Sequence, residues 1–552
     1  MKIIGASLGS CVHVAGVQAF LQLAKAHGHE TVFLGPAVPV KRLVAAIGEF
    51  QPEAVALSYR LSPESAKAVF AELREELGKD PGLSKRKFYF GGTPPVARLA
   101  EATGLFEACF DGTEPESAVL AIVRGGPRTE KPQSHPPDLV GRIEELRPVP
   151  LIRHHFGLPT LRDTIDGARK IAESGLVDIL SLAPDQNAQE SFFRPAEMNS
   201  ELDGAGGVPV RTPEHLKAIY DTTRFGNHPL LRCYSGTNDL VKWAEMLKET
   251  IHVAWGAVPL TWYSELDGRS RRTIEVAVAE NQAAIKWYAS NGIPVEVNES
   301  HQWALRRSGD VVEAATAYLA AYNARSLGVK DYVCQFMFDT PKGISPVMDI
   351  AKMLAKLELV ESLQGNGFKV VRMVRSGLES FSPSPNVAKG QLAASVFAAM
   401  ALNPHIVHVV GYCEADHAAR PEEIIESCEI ARGAVMKALL GEARPHTDPA
   451  VMTRKTEVLS ETKYLLEAIK RLKAHEGTDP LISPQVLAEA IREGLLDASD
   501  LRGGRVALGK IATAIVNGAC LAVDPSTGKP ISEKDRVHNL AVSEQDLDLA
   551  EI

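Results

Sequence analysis

The sequence predicts an α/β protein: a doubly wound parallel sheet, then a (β/α)8 barrel, then a C-terminal helical region. Three observations carry this expectation. Short β-branched runs alternate with helical stretches from Lys2 to about Arg124, a Pro- and Ser-rich stretch interrupts them, and a second series of apolar runs follows, each succeeded by helical sequence. Strands that alternate with helices at this spacing pair in parallel, because each crossover helix carries the chain back to the end of the sheet where the previous strand began.

The first unit spans residues 1–124. Its strands read as "KIIGA", "ETVFLG", "AVALSY", "FYFGG" and "ACFDG", separated by helical segments such as "VQAFLQLAKAHG", "VKRLVAAIGEF" and "ESAKAVFAELREEL". "GGPRTEKPQSHPPD" is too rich in Pro, Ser and charge to pack as an element, so residues 125–147 are expected to be a linker. Between 148 and 440 lie "VPLIR", "VDILSLA", "HPLLRCYS", "HVAWGAVPL", "IPVEVNE", "DYVCQFMF", "FKVVRMV" and "HIVHVVGY". Eight such units in roughly 290 residues suit a barrel. Residues 441–552 hold "SETKYLLEAIKRLKAHEG", "SPQVLAEAIREGLL" and an irregular tail, and read as an appended helical region.

Composition narrows the function classes. A chain of 552 residues is too long for one hydrophobic core, and 45% apolar with 23% charged residues is ordinary for a globular protein. A formal charge of -9 gives no reason to expect nucleic acid or an acidic membrane surface as a partner. Seven scattered cysteines without a C-x-x-C pair argue against both a zinc site and a disulfide framework, and point to a reducing compartment. No apolar run is long enough to span a bilayer. "LGSC" at Leu8 to Cys11 has the form of a lipoprotein cleavage box, but no basic region and long apolar stretch precede it, so the expected location is the cytoplasm.

The chemistry-bearing signal begins in "GASLGSCVHVAGVQ", where His13 sits in a Gly- and Ser-rich turn between a strand and a helix, two residues after Cys11. Alone, such a histidine could simply start the helix. Spacing adds to it: Gly16 follows at once, then "SYR" (Ser58 to Arg60), then Gly91 and Gly92 at the end of the "FYF" strand. This set resembles the cobalamin-binding domain of adenosylcobalamin mutases and methionine synthase, whose pattern is D-x-H-x-x-G, then S-x-L, then G-G. The resemblance implies a Rossmann-like cobalamin-binding domain in which His13 is the lower axial ligand of cobalt, in the base-off, His-on mode. Gly16 would let the helix start approach closely, Ser58 would hydrogen-bond the displaced benzimidazole, and Gly91 with Gly92 would leave room for the nucleotide tail. Gly112, in "DGT", resembles the family's last loop or is an ordinary turn. Two departures stand out. Cys11 occupies the place of the carboxylate that holds the other imidazole nitrogen, and Arg60 replaces the leucine.

From Pro148 to about Leu440 the chain resembles the large subunit of glutamate mutase, through "TIDGARKIAESGLVDIL", "PLLRCYSGTNDLVKWAEML", "VKDYVCQFMF" with "DIAKML", and "VHVVGYCEADHAARPEE". The resemblance implies an adenosylcobalamin-dependent radical isomerase with both components in one chain, paired as a homodimer through the barrel. A closed barrel suits that chemistry because it excludes water from reactive intermediates. Arg153, His154, His155, Arg194, Arg232, Tyr234 and Arg375 fall in or after the strands, where arginine can grip a carboxylate in two-point fashion; each could equally form an interlayer salt bridge. Of the family's three substrate arginines, Arg232 and Arg194 are the counterparts here. The third position falls near His155, and the family's substrate glutamate falls near Trp255, so the expected substrate is a small carboxylic acid other than glutamate. Glu414 stands where the adenosyl ribose would be held, with Asp416 and His417 as weaker candidates, and "APDQNAQESFFRP" reads as a binding segment or a solvated loop. Rival readings are a corrinoid methyltransferase, a cobalamin-binding carrier or regulator without catalysis, and a pyridoxal phosphate aminomutase; no Schiff-base lysine motif supports the last.

Overall fold

The computed structural model describes residues 1–112 apart from 27, 81 and 84, residues 119 and 122, and residues 135–441, 447–472 and 478–540. The chain divides into two compact units, Met1–Ser134 and His135–Ile552.

In the first unit the strands are β1 (Lys2–Leu8), β2 (Glu30–Val38), β3 (Ala54–Tyr59), β4 (Lys87–Gly92) and β5 (Ala108–Phe110), paired in parallel in the order β2-β1-β3-β4-β5. Alternation along each strand fills both faces. Ile4, Leu8, Val55, Leu57, Phe88 and Phe90 pack on helices Val40–Phe50 and Pro63–Gly78, while Ile3, Ala54, Ala56 and Tyr89 pack on Val17, Phe20 and Leu21 of helix Ala15–Ala26. Helix Pro63–Gly78 starts where it does because the Ser62 hydroxyl accepts the Ser65 N–H and Pro63 needs no donor there. The strand order reverses between β1 and β3. At that point the crossovers leave in opposite directions, the switch point where open sheets of this kind place a ligand.

The second unit is built on eight parallel strands: β6 (Leu151–Phe156), β7 (Ile179–Leu182), β8 (Leu230–Cys233), β9 (Gly256–Val258), β10 (Val295–Val297), β11 (Asp331–Phe338), β12 (Lys369–Ser376) and β13 (Ile406–His408). They pair in chain order, and β13 returns to β6, so the sheet curls into a nearly closed barrel. Between β8 and β9 no ladder forms, but the Ala254 N–H donates to the Leu231 carbonyl at 2.8 Å. Each of the eight expected runs supplies one strand.

The expected linker over 125–147 is shorter than the sequence implied. Residues 113–118, 120–121 and 123–134 lie outside the described set, but Leu139–Leu146 is a helix capped by Asp138, whose carboxylate accepts the Gly141 N–H at 2.9 Å. Its Leu139 and Ile143 pack on Leu151, Ile179, Leu230, Val333, Val371 and Ile406, sealing the barrel at the amino ends of the strands. A plug this apolar is held by the same burial that holds a core.

The appended region is likewise more than helices. Helix Pro449–Lys470 contributes Val451, Leu465 and Ile469 to the main barrel core, and helix Pro484–Arg492 adds Val486, Leu487 and Ile491. Beyond them β14 (Thr513–Val516) and β15 (Ala519–Ala522) form an antiparallel hairpin. Its Gly518 carbonyl accepts the Ser345 N–H at 2.8 Å, so it rests on the loop after β11. No helix among the described residues is long and apolar enough to cross a membrane.

Candidate functional site

The turn after β1 lies at the β1/β3 switch point. Cys11 is fully buried, and its Sγ accepts the Arg60 N–H at 3.3 Å while standing 3.6 Å from His13 Nδ1. The Ser58 hydroxyl donates to the His13 carbonyl at 3.2 Å. His13 itself is exposed, so the protein engages Nδ1 and leaves Nε2 turned to its surroundings. Beneath the turn runs a row of small side chains: the register aligns Ser7 with Ser58 and Ser58 with Gly91. A Cβ on Gly91 would meet nothing within 4 Å, whereas one on Gly92 would lie 2.8 Å from both a Phe90 ring carbon and the Tyr59 carbonyl. Gly92 is therefore required by backbone packing, and Gly91 leaves open room.

Inside the barrel, alternation stacks a polar layer on the apolar floor. Leu151, Leu230, Val371 and Ile406 belong to the floor, and two residues further along each strand come Arg153, Arg232, Met373 and His408. Glu296 of β10 completes the layer. Its Oε2 accepts from Arg232 Nη2 at 2.9 Å and from the Trp255 indole at 2.8 Å, with Arg153 Nη1 at 3.6 Å. Arg153 Nε donates to the Ser181 hydroxyl at 2.8 Å, and both guanidiniums lie over the Trp255 ring. One layer higher, the Tyr234 hydroxyl is 2.7 Å from His155 Nε2, the two rings stack, and His408 meets His155 edge-on at 4.4 Å between centroids.

The charges in this layer do not balance. Arg153 and Arg232 face the single carboxylate of Glu296, with the half-buried Arg375 one layer above on β12, and several buried polar atoms have no hydrogen-bond partner among the described residues: Arg232 Nε and Nη1, Arg375 Nε, His155 Nδ1, both nitrogens of His408, and Glu296 Oε1. Burial, helped by the positive field of Arg232, lowers the Arg153 guanidinium to about 9. Burial works against Arg232 too, but Glu296 outweighs it and holds that guanidinium above its ordinary value. Buried donors left unpaired are costly to the fold, which makes this layer a candidate binding site.

Burial, with the nearby guanidiniums, also holds His155, His301 and His408 well below the ordinary imidazole value of 6.5, which keeps them neutral. A histidine whose folded pKa is depressed takes up a proton on unfolding, so its share of stability is complete above about 6.5 and is lost as pH falls below it. His408→Gln is expected to remove about 1.4 kcal/mol per pH unit of acid sensitivity below that point, read as the difference in urea midpoint between variant and parent. The comparison with the parent matters because Asp349, raised to about 7 by burial, titrates in the opposite sense over the same range. Identical slopes in the two proteins would show that His408 is already charged.

Known proteins bear on the first unit. Residues 1–120 match the family model of the B12 binding domain. The N-terminal unit is a B12-binding domain. A cobalamin-binding protein from Desulfitobacterium hafniense DCB-2 is 27% identical over a match that covers 22% of this chain and 58% of that one, with a TM-score of 0.20. The structure of 2,3-dimethylmalate lyase, a PEP mutase/isocitrate lyase superfamily member, matches at 13% identity over 59% of this chain and 96% of that one, with a TM-score of 0.27. None of the curated proteins compared with the chain matches it. TM-scores this low carry no weight for the barrel, so the assignment rests on the family model and covers the first unit.

The residues of the B12-binding domain fit cobalamin. His13 offers Nε2 while Cys11 Sγ engages Nδ1, and the Ser7, Ser58, Gly91 row makes a cradle that a larger side chain at Gly91 would fill. Gly16 also has open space around its Cβ position, and Arg60 and Gly112 are exposed near the strand ends; Thr113 of "DGT" lies outside the described residues.

In the barrel the structure redistributes the expected roles. Arg232, His155 and Tyr234 come together as the sequence implied. Arg194 does not join them: its side chain is 36% exposed and is held by Glu197 at 3.2 Å, the Glu190 carbonyl at 2.5 Å and Asp239 at 4.0 Å, on the loop after β7. Arg153 and Arg375 supply the additional guanidiniums instead. Trp255 is part of the floor, fully buried beneath the arginines. Glu414 folds back on its own loop, accepting the Gly411 N–H at 2.7 Å, and lies 3.4 Å from His154 Nε2. Glu296 and His408 were missed. The signal was present in "VEV" and "IVH", where a polar residue beside β-branched neighbours must take the opposite face.

Proposed function

We propose that the chain is an adenosylcobalamin-dependent isomerase that moves a fragment between adjacent carbons of a small carboxylic acid bound inside the barrel. The observation that carries this reading is the polar layer: two guanidiniums sharing one carboxylate, a third on Arg375 one layer above, and unpaired donors on Arg232, Arg375, His155 and His408. A ligand carboxylate would accept from these donors, and the planar guanidinium would fix its orientation. Glu296 Oε1 offers an acceptor to a donor group on the same ligand. Neutral His155, hydrogen-bonded to Tyr234, can hold a carbonyl or hydroxyl oxygen without adding charge. The plug helix and Trp255 close the floor and keep water out from that side. When bound, adenosylcobalamin supplies a carbon-centred radical by homolysis of its cobalt–carbon bond. In the first unit His13 would hold cobalt, and Ser58 and Gly91 would admit the nucleotide tail.

The test is to incubate the full chain with adenosylcobalamin and a panel of carbon-13-labelled small acids, without oxygen, and follow the carbon spectrum. A product isomeric with one acid is expected, with kcat/KM reduced about 10²- to 10³-fold in Arg232→Met. Tight retention of adenosylcobalamin with no isomer from any acid would replace this reading with that of a carrier. Methyl transfer from methylcobalamin would replace it with a methyltransferase.

A further inference from the structure

The loop between β13 and helix Pro421–Leu439 gathers three kinds of metal donor. Its first turn is tight: the Asp416 and His417 N–H groups both donate to the Cys413 carbonyl, at 2.8 and 3.0 Å, which sets residues 413 and 417 on one side. Glu423 reaches back from the first turn of the helix. Its Oε2 accepts the Arg420 N–H at 2.8 Å, which fixes the carboxylate and turns Oε1 to within 2.9 Å of His417 Nε2. Cys413 Sγ, a His417 ring nitrogen and a Glu423 oxygen all lie within 4.8 Å of one another.

We propose that Cys413, His417 and Glu423 bind a zinc-class divalent cation, with water in the fourth position. The pattern is C-x3-H-x5-E, which a search for C-x-x-C pairs does not find. Sulfur, imidazole and carboxylate together are the donor set zinc accepts, and three protein ligands leave a tetrahedral ion one open place. His417 is partly exposed, so that place faces solvent. Asp416 Oδ2, 2.9 Å from His417 Nδ1, is the outer carboxylate that orients a ligating imidazole and selects Nε2 for the metal. Binding the ion through the Cys413 thiolate releases the thiol proton to solvent. The ion would pin the loop that carries Glu414 beside His154. This site is separate from the barrel layer and does not depend on the isomerase reading.

The experiment uses the full chain, freed of metal by a chelator, gel-filtered with zinc chloride and measured at the zinc X-ray edge. One sulfur at about 2.3 Å and nitrogen or oxygen neighbours at about 2.0–2.2 Å are expected. In competition with a chromophoric chelator, His417→Ala, at a partly exposed position, should lose the ion, and Asp416→Asn should weaken it about tenfold. Cys413→Ser should lose the sulfur scatterer, provided its circular dichroism matches the parent. A spectrum without sulfur, or zinc retained in full by His417→Ala, would overturn the site and leave His417 as an imidazolium paired with two carboxylates.

Discussion

Glu296→Ala is expected to destabilise the barrel by about 3–5 kcal/mol, because it strands two buried guanidiniums that share this carboxylate. Arg153 and Arg232 are each no more than 1% exposed, and Arg153 is already lowered to about 9 with Glu296 in place. Two controls separate charge from packing. Glu296→Gln keeps the shape and an acceptor for the Trp255 indole but not the charge, so it should cost nearly as much. Adding Arg232→Met to Glu296→Ala should recover part of the loss, since an apolar replacement of a buried pair is often close to neutral. The measurement is the urea midpoint followed by near-ultraviolet circular dichroism, with the two units allowed to unfold separately. A loss under about 1 kcal/mol would mean that water or a bound anion already reaches the guanidiniums. In that case small dicarboxylates should raise the variant's midpoint.

The second large effect concerns His13. With cob(II)alamin bound, the electron paramagnetic resonance spectrum of the full chain is expected to show splitting from an imidazole nitrogen, and His13→Ala should abolish it. The geometry allows this because Cys11 Sγ stands against Nδ1 and leaves Nε2 without a protein partner among the described residues. Gly91→Leu supplies the companion result. Nothing lies within 4 Å of a Cβ there, so the fold should tolerate the change within about 0.5 kcal/mol while cofactor retention falls sharply, because the side chain fills the cradle. If His13→Ala keeps the nitrogen splitting, another imidazole ligates cobalt. If Gly91→Leu retains cobalamin as the parent does, the tail lies elsewhere.

The legibility of the two sites differed for a physical reason. His13, Ser58 and Gly91 lie at or after the carboxyl ends of strands in one sheet, so their spacing in the chain reflects the lengths of the intervening helices and carries over into sequence. The barrel site has no such local signature, since its members come from five strands and the loop after β8. Arg194 looked as suitable as Arg153, because an arginine after a strand and an arginine within one read alike until the face is known. Period-two alternation would have favoured Arg153, which shares a face with Leu151 and His155.

The doubly wound first unit and the eight barrel strands were legible in the sequence because strand alternation and crossover spacing are local properties of the chain, and the turn at His13 stood out through its resemblance to a cobalamin-binding family. Tertiary structure alone decided that Leu139–Leu146 plugs the barrel, that a β-hairpin follows the C-terminal helices, and that Glu296 holds Arg153 and Arg232 together. Those outcomes depend on which side chains meet across the barrel axis. Closure of the sheet sets that, and no spacing along the chain records it.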